Sequence, residues 1–288
     1  MRKVVVTHHN PDSDAICAVW LVLRFLENWQ KAEVEFVPAG EKIADESAYE
    51  KVIHVDTGLG EFDHHQSNSD TCAAKLVFEH LASHKELISD LKNFNPEVLE
   101  RLVNVVNEID HFRQVYYPDP NADYFDFSLA AILDGLNLVY NGKGSGDILT
   151  LESGLAIFDA IYQVFKNKIR AEKEIAEGRV NEVETKWGRA IGFETGNDQV
   201  LGIAQKMGYR VVVRKDRKKD YVRIKALPEK GIDLTRLYER LKEMDKQATW
   251  YLHPSKTILL NGSTSNPKMR ATKLTLPEIM EEIGKINN

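Results

Sequence analysis

Two short stretches hold most of the residues that could do chemistry. The first is Thr7-His8-His9-Asn10-Pro11-Asp12-Ser13-Asp14-Ala15. The second runs from Val55-Asp56-Thr57-Gly58 to Phe62-Asp63-His64-His65. Together with Asp110, they bring Asp12, Asp14, Asp56 and Asp110 toward one crevice, with His8 and His64 among them. Four carboxylates left bare repel one another, and some would have to take up protons. Two divalent cations neutralise them. Mixed imidazole and carboxylate donors, with no thiolate in either stretch, suit six-coordinate Mn²⁺ (or Mg²⁺) better than structural zinc. Two such ions ~3.5–4 Å apart clamp a phosphoryl group and generate hydroxide from a bound water, with one aspartate bridging. The chemistry expected is hydrolysis of a phosphate ester. His111, beside Asp110, is a further candidate reacting group. His54 is expected in the core of a strand, and His80 and His84 on the outside of a helix.

These residues must be positioned by regular elements. Val4-Val5-Val6 is a continuous apolar run, as in a strand buried on both faces. Ala15 to Leu26 carries Ile16, Val19, Leu23 and Leu26 at helical spacing. Glu33 to Val37 alternates and stops at Pro38, and Lys51 to Val55 is a third strand. Ala73 to Leu81 and Pro96 to Ile109 are helices, with Pro96 suited to a first turn. Strand–helix–strand alternation at this spacing predicts an α/β fold with a doubly wound, mostly parallel sheet. Functional groups gather beyond the carboxyl ends of such strands, where His8, Asp12, Asp14 and Asp56 fall. Asn10-Pro11 forces the turn after the first strand, because a residue preceding proline is pushed out of the helical region.

The chain has 288 residues, 43% of them hydrophobic and 28% charged. That fits two domains with proper cores. The divisions expected are 1–150 for the metal-binding catalytic domain, 151–187 for a connecting helical arm, and 188–288 for a smaller α+β domain that binds substrate. The arm is a long helix over Leu151 to Glu184. The segment Asn141-Gly142-Lys143-Gly144-Ser145-Gly146 lacks the preceding strand and Gly-Lys-Ser/Thr ending of a phosphate loop, and reads as an inter-helix loop. In the tail, strands are expected over Arg189 to Phe193, Tyr209 to Arg214 and Tyr221 to Lys225. Helices are expected over Asn197 to Met207 and Leu234 to Met244.

No apolar run approaches the ~18 residues that a membrane helix needs, and the opening apolar run is too short for a signal peptide. Cys17 and Cys72 fall inside apolar helical patterns and read as buried free thiols, so a cytoplasmic location is expected. A net charge of −6 argues against coating long nucleic acid. It suits a small phosphorylated substrate or short oligonucleotide, with no membrane partner, and leaves a homodimer open.

The tail offers candidates for gripping that substrate. Residues 206–230 hold ten basic and three acidic residues. Lys215 to Lys219 read as a solvated hairpin turn, while Arg214 and Arg223, inside strands, are better placed to grip phosphate. The loop from Asn261 through Gly262 and Ser263 to Asn266 presents N–H groups and hydroxyls suited to an anion or ribose. His253 could contact a phosphate, and Lys268 and Arg270 could serve a small, highly charged substrate. Trp250 and Tyr251 are expected chiefly in the core.

At the two motifs the chain resembles the DHH phosphoesterase superfamily, whose triplet appears as Asp63-His64-His65. His8 to Asp14 matches the first family motif, and Asp56 the second. The stretch Asp56 to Gln66 is most similar to the Myg-type exonuclease branch. The likeness covers about the first 115 residues. It implies that His8, Asp12 and Asp56 hold one metal, and Asp14, Asp56, His64 and Asp110 the other, with Asp56 bridging. His65 would touch the substrate phosphate, and Asp63 would orient its neighbours. His9 has no family role and is expected in the outer shell. The Gly-Gly-Gly-His signature of many members is absent from the tail. The activity expected is two-metal hydrolysis of phosphodiesters in short oligonucleotides or dinucleotides. A pyrophosphatase or phosphomonoesterase is the alternative, as is a non-catalytic nucleotide-binding regulator.

Overall fold

The computed structural model describes residues 2–140, 144–177 and 181–287. It divides into two compact units, residues 1–165 and 166–288. Residues 141–143 of the glycine-containing segment and 178–180 of the expected arm lie outside the described residues.

The first unit is built on β1 (Lys3–His8), α1 (Ser13–Phe25), β2 (Glu33–Val37) and β3 (Lys51–His54). Its sheet has the order β2-β1-β3 and is parallel throughout, with Val5 opposite both Val34 and Ile53. The middle strand is the apolar one because both its faces are covered, and Val4, Val5 and Val6 are fully buried. α2 (Ala73–Ser83), α3 (Pro96–Asp110) and α4 (Leu129–Tyr140) follow. In α3, Asn95 caps the helix through Val98 N–H, Pro96 opens it, and Leu99, Leu102, Val103 and Val106 form its buried stripe.

α5 (Gly146–Glu177) corrects the expected arm. It starts earlier than Leu151 and ends at Glu177, and Glu182–Thr185 is a strand. By length and composition alone it is also long and apolar enough to cross a membrane, against the expectation of no such run. In the first unit its apolar residues have a protein partner. Leu151, Phe158 and Tyr162 are buried, and Trp20 Nε1 and Arg24 Nε of α1 both donate to Asp159 at 3.0 Å. Gly154 lets the two helices approach closely: a Cβ there would lie 2.7 Å from Ile16 Cγ2.

The second unit contains β4 (Glu182–Thr185), β5 (Gly188–Glu194), α6 (Gln199–Lys206), β6 (Val211–Lys215), β7 (Val222–Ala226), α7 (Thr235–Met244), β8 (Trp250–Leu252), β9 (Ile258–Asn261) and α8 (Leu276–Gly284). They form a mixed six-stranded sheet of order β4-β5-β6-β7-β9-β8, in which β5 and β6 pair in parallel. One face packs on α7 and α8 through Leu237, Leu241, Ile279 and Ile283. The other packs on α6 and the end of α5 through Leu201, Ala171 and Ile175. The tail strands and helices read from sequence stand within two residues of their expected ends, and β4, β8, β9 and α8 are additional.

Candidate metal centre

Each acidic residue reaches the site by a different local device. β1 ends at His8, and Asn10 adopts a left-handed backbone (φ 51°), tolerated best by Gly, Asn and Asp, so the chain reverses before Pro11. Asp12 then caps α1, its Oδ1 accepting from Asp14 N–H at 2.9 Å and Ala15 N–H at 3.0 Å. Its capping and its place in the site are therefore compatible. Asp14, in the first turn of α1, is fully buried and accepts from Ala73 N–H at 2.7 Å and Ala74 N–H at 2.8 Å. It thereby holds the N-terminus of α2, where the helix dipole favours a negative charge. Asp56 follows β3 with φ 54°, its N–H donating to the Phe62 carbonyl at 2.9 Å. A left-handed aspartate at such a junction costs conformational energy and is held by the packed turn around it. Asp110 is the last residue of α3.

These devices converge. His8 Nε2 lies 3.2 Å from Asp56 Oδ2. His64 Nε2 lies 3.5 Å from Asp56 Oδ1, 3.6 Å from Asp110 Oδ2 and 3.8 Å from Asp14 Oδ2. His65 Nδ1 lies 3.7 Å from Asp56 Oδ1. Three groups have ligand atoms within 4.8 Å of one another: His8–Asp12–Asp56, Asp14–His64–Asp110 and Asp56–His64–His65. Asp56 Oδ1 and His64 Nε2 are buried and make no hydrogen bond. Buried polar atoms are rarely left so, and a carboxylate oxygen facing an imidazole nitrogen with no bond between them is what a cation would satisfy. The donor set fits a divalent metal.

The tautomers favour the same reading. His8 Nδ1 lies 2.8 Å from the His9 carbonyl, so the Nδ1–H donates there and Nε2 is the nitrogen that faces the site. Asp63 is almost completely buried. It accepts from Leu59 N–H at 2.7 Å, His65 N–H at 3.1 Å and His65 Nδ1 at 2.7 Å. It fixes the ring of His65, which is 57% exposed.

Without a metal, protons carry the positive charge. Burial alone would lower His8, but its bond to Asp56 and that carboxylate's charge raise it to about 9. His64 is raised to about 9, first by Asp56 and against burial, with Asp110 and Asp14 adding to the effect. Burial would raise Asp56, yet the neighbouring His64 and His8 imidazoles hold it down at about 2. Burial and the Asp56 charge push Asp12 and Asp14 upward. Asp110 is also raised, chiefly by burial, with His64 opposing.

Residues 5–165, more than half the chain and nearly all of the first unit, match the family described as ChrB, C-terminal domain. The chain belongs to that family. No curated protein matches it. Among solved structures, an uncharacterized protein from Helicobacter pylori G27 aligns over 100% of this chain and 99% of its own. The identity is 14% and the TM-score 0.30. A DHH domain from a protein described as a member of a family of ribosomal proteins aligns over 99% of this chain and 86% of its own, at 12% identity and a TM-score of 0.31.

Asp70, Asn107, Arg113 and Asp147 of this ChrB-family unit were not singled out in sequence. Asp70 Oδ1 accepts from Asn107 Nδ2 and Arg113 Nη2, both at 2.7 Å, and Arg113 Nη1 donates to Glu108 at 2.9 Å. The loop after His65 is thus tied to the end of α3 that carries Asp110. Asp147, at the start of α5, accepts from Asn10 N–H at 2.9 Å and lies 2.6 Å from His9 Nδ1. His9 therefore turns away from the three ligand groups. An acidic residue this far along the chain gives no local signal of such a contact. His54 Nε2 accepts from Ile43 N–H, and burial lowers its pKa. His80 Nδ1 lies 3.0 Å from Glu61. His111 caps α3 and donates from Nδ1 to the Asn107 carbonyl at 2.9 Å. Cys17 and Cys72 are buried and free.

The expected grips of the second unit are arranged differently. Arg214 is buried and held by Asp198 at 2.8 Å and Asp216 at 3.4 Å. Arg223 is also bonded to Asp198. Asn261 is fully buried: its Nδ2 donates to Thr249 and Arg270 carbonyls, and its Oδ1 accepts from Thr272 N–H. It pins the β9 end rather than facing a ligand. Gly262 has φ 74°, and a Cβ there would meet the Tyr221 ring at 2.0 Å, so its role is close packing. Ser263 Oγ accepts from Ser265 N–H, and His253 Nδ1 lies 2.8 Å from Ser255 Oγ. Arg270 is exposed, its N–H donating to Thr249 Oγ1. Trp250 is buried and Tyr251 half exposed.

Proposed function

We propose that the first unit is a metal-dependent phosphoesterase acting on small phosphorylated molecules, with dinucleotides and short oligonucleotides as the leading substrates. The observation that carries this reading is the disposition of Asp56. Its Oδ2 faces His8, its Oδ1 faces His64 and His65, and Oδ1 has no hydrogen bond. A carboxylate that turns one oxygen to each of two donor groups suits a bridging ligand. His8, Asp12 and Asp56 would hold one ion, and Asp14, Asp56, His64 and Asp110 the other, with manganese or magnesium the metals suited to these donors. Divalent ions there supply positive charge for a phosphoryl oxygen and acidify a water.

The chain's own residues do the rest. Asp63 holds His65 so that its second ring nitrogen stays available to a phosphate oxygen. Asp14 binds the α2 backbone with both oxygens and still has lone pairs toward His64 and Asp110. A cavity of about 560 Å³ in the first unit adjoins the metal-binding turn through His9 and Asn10, with Phe36, Asn137 and Tyr140 on its walls. Its lining includes none of the proposed metal ligands.

The test is hydrolysis of a dinucleotide, inorganic pyrophosphate and p-nitrophenyl phosphate with Mn²⁺, Mg²⁺ or Co²⁺, using Asp56→Ala as the blank. Turnover of the dinucleotide by the parent protein alone is expected. No turnover of any substrate, or equal turnover by the variant, refutes the reading. Preference for pyrophosphate keeps the chemistry and changes the substrate.

A further inference from the structure

The helix α4 (Leu129–Tyr140) leaves apolar side chains exposed. Its inward side is marked by Leu133, fully buried, and by Asn137, whose Nδ2 donates to the Pro11 carbonyl at 3.3 Å. At 100° per residue, the opposite side carries Ala131, Ile132, Gly135, Leu138 and Val139. Ile132, Leu138 and Val139 are 42%, 76% and 63% exposed. Nothing lies within 4 Å of where a Cβ on Gly135 would be. Solvent-facing sides of helices are normally polar. Here the only charged residue of the helix is Asp134, placed between the two sides.

The apolar surface continues into the preceding chain. Phe112, Tyr116, Tyr124 and Phe127 are 61–85% exposed. Their segment leads into α4: Tyr117 and Tyr124 contact Phe125, and Ser128 N–H donates to the Phe125 carbonyl. Aromatic side chains bury about 150–250 Å² each. These four and the α4 side chains therefore offer on the order of 800 Å², the contribution of one partner to a standard-size interface.

We propose that this face is where two copies of the chain associate, α4 against α4 about a twofold axis. A stripe with small residues at its centre and large apolar ones at its sides is complementary to itself, as a twofold interface requires. Ala131 and Gly135 let the two backbones approach, and Asp134 falls at the rim, where water reaches it. A lipid surface fits poorly. Residues 112–140 contain no lysine, their one arginine, Arg113, is bonded to Asp70 and Glu108, and Asp119, Asp123, Asp126 and Asp134 would face anionic headgroups. The segment begins two residues after Asp110, so the second copy would border the metal centre.

Sedimentation velocity of the full chain at micromolar concentration should give twice the 32.8 kDa chain mass. The double substitution Leu138→Asp with Val139→Asp should give the single mass with an unchanged circular dichroism spectrum. Met244→Asp, on an exposed position of the second unit, should leave the dimer intact. Should the double variant fail to fold, Gly135→Cys with a short bismaleimide gives an independent reading, because Cys17 and Cys72 are buried. A covalent dimer is expected. A monomeric parent protein, a folded double variant that stays dimeric, a dimer without cross-linking at position 135, or a monomer that floats with phosphatidylcholine–phosphatidylglycerol vesicles would each overturn the proposal.

Discussion

The two units both bury charge, and they treat it in opposite ways. In the second, Arg214 is almost completely buried but has Asp198 and Asp216 beside it, and Glu282 is buried with Arg240 and Lys285. Charge is matched there by charge of the other sign. In the first unit, among the described residues, the titratable groups facing Asp12, Asp14, Asp56 and Asp110 with a positive charge to offer are histidines, which must bind a proton to balance them. Among the described residues, the ion pairs of Asp14, Asp56 and Asp110 are with histidines, not with arginine or lysine. Burial is shared, so burial alone does not mark a functional site. The mark is buried charge whose balance is left to something that comes and goes, a proton or a metal ion.

The largest effect should come from removing the carboxylate common to two ligand groups. Asp56→Ala is expected to lower Mn²⁺-dependent phosphoester hydrolysis by about 10³-fold or more, in line with losses on deleting a key electrostatic group. The fold should be kept, as judged by circular dichroism. Equal activity in the variant would mean that the first unit resembles the second, with its charges merely structural.

Next in size is the response to pH. His8 and His64 have folded pKa values of about 9 against about 6.5 in a free chain. A raised pKa on a base stabilises the fold while the proton is bound. That contribution is complete below pH 6.5 and is lost as pH rises through 9. The raised carboxylates Asp12 and Asp14 act in the same direction. The metal-free protein should therefore lose a few degrees of Tm between pH 6.5 and 9. With saturating Mn²⁺ the trend should flatten or reverse, because the metal takes the deprotonated ligands. Calorimetry in buffers of different ionisation enthalpy should show protons released on Mn²⁺ binding at pH 7.5. A Tm independent of both pH and metal would remove the contrast between the units.

In the second unit the corresponding substitution should change stability instead of chemistry. Arg214→Ala leaves Asp216 and Asp198 without a buried partner, and a loss of about 2 kcal/mol is expected in urea unfolding, less than for a fully buried pair because Asp198 is half exposed. The KM for a dinucleotide should stay within about twofold. A tenfold rise in KM at unchanged stability would give Arg214 the role of phosphate grip.

What the sequence made legible was local. β1 is an unbroken apolar run, β2 stops at a proline, and α3 has a cap, a proline at its first turn and a stripe. The metal motifs were legible because their residues cluster within nine and eleven positions of chain. The α8 capping box, Thr275 with Glu278, was present as a pattern and was overlooked. The surroundings of Arg214 and Asn261 were not legible, for another reason. Their partners Asp198, Thr249, Arg270 and Thr272 are brought in by other elements of the second unit, so nothing in the local pattern distinguishes an exposed arginine or amide from a buried one. The outward face of α4 escaped notice likewise, because periodicity locates an apolar stripe but does not say whether anything within the chain covers it.

The smallest effect expected concerns Asp147, which touches none of the ligand groups. It supports the Asn10 turn, accepting its N–H and facing His9, and that turn carries His8 and Asp12 on either side. The contacts are exposed, so Asp147→Ala should cost only about 0.5–1.5 kcal/mol in stability. Groups that hold a metal ligand directly affect affinity by 10–100-fold. Asp147 acts one step further out, and a reduction of less than about tenfold in Mn²⁺ affinity is expected, measured from the free-ion signal by electron paramagnetic resonance. Asp147→Asn retains an oxygen for the Asn10 N–H and should recover most of the loss. An unchanged affinity in Asp147→Ala would show that Pro11 and the α1 cap alone hold the turn, and that this unit's charged groups outside the three clusters are as structural as those of the second.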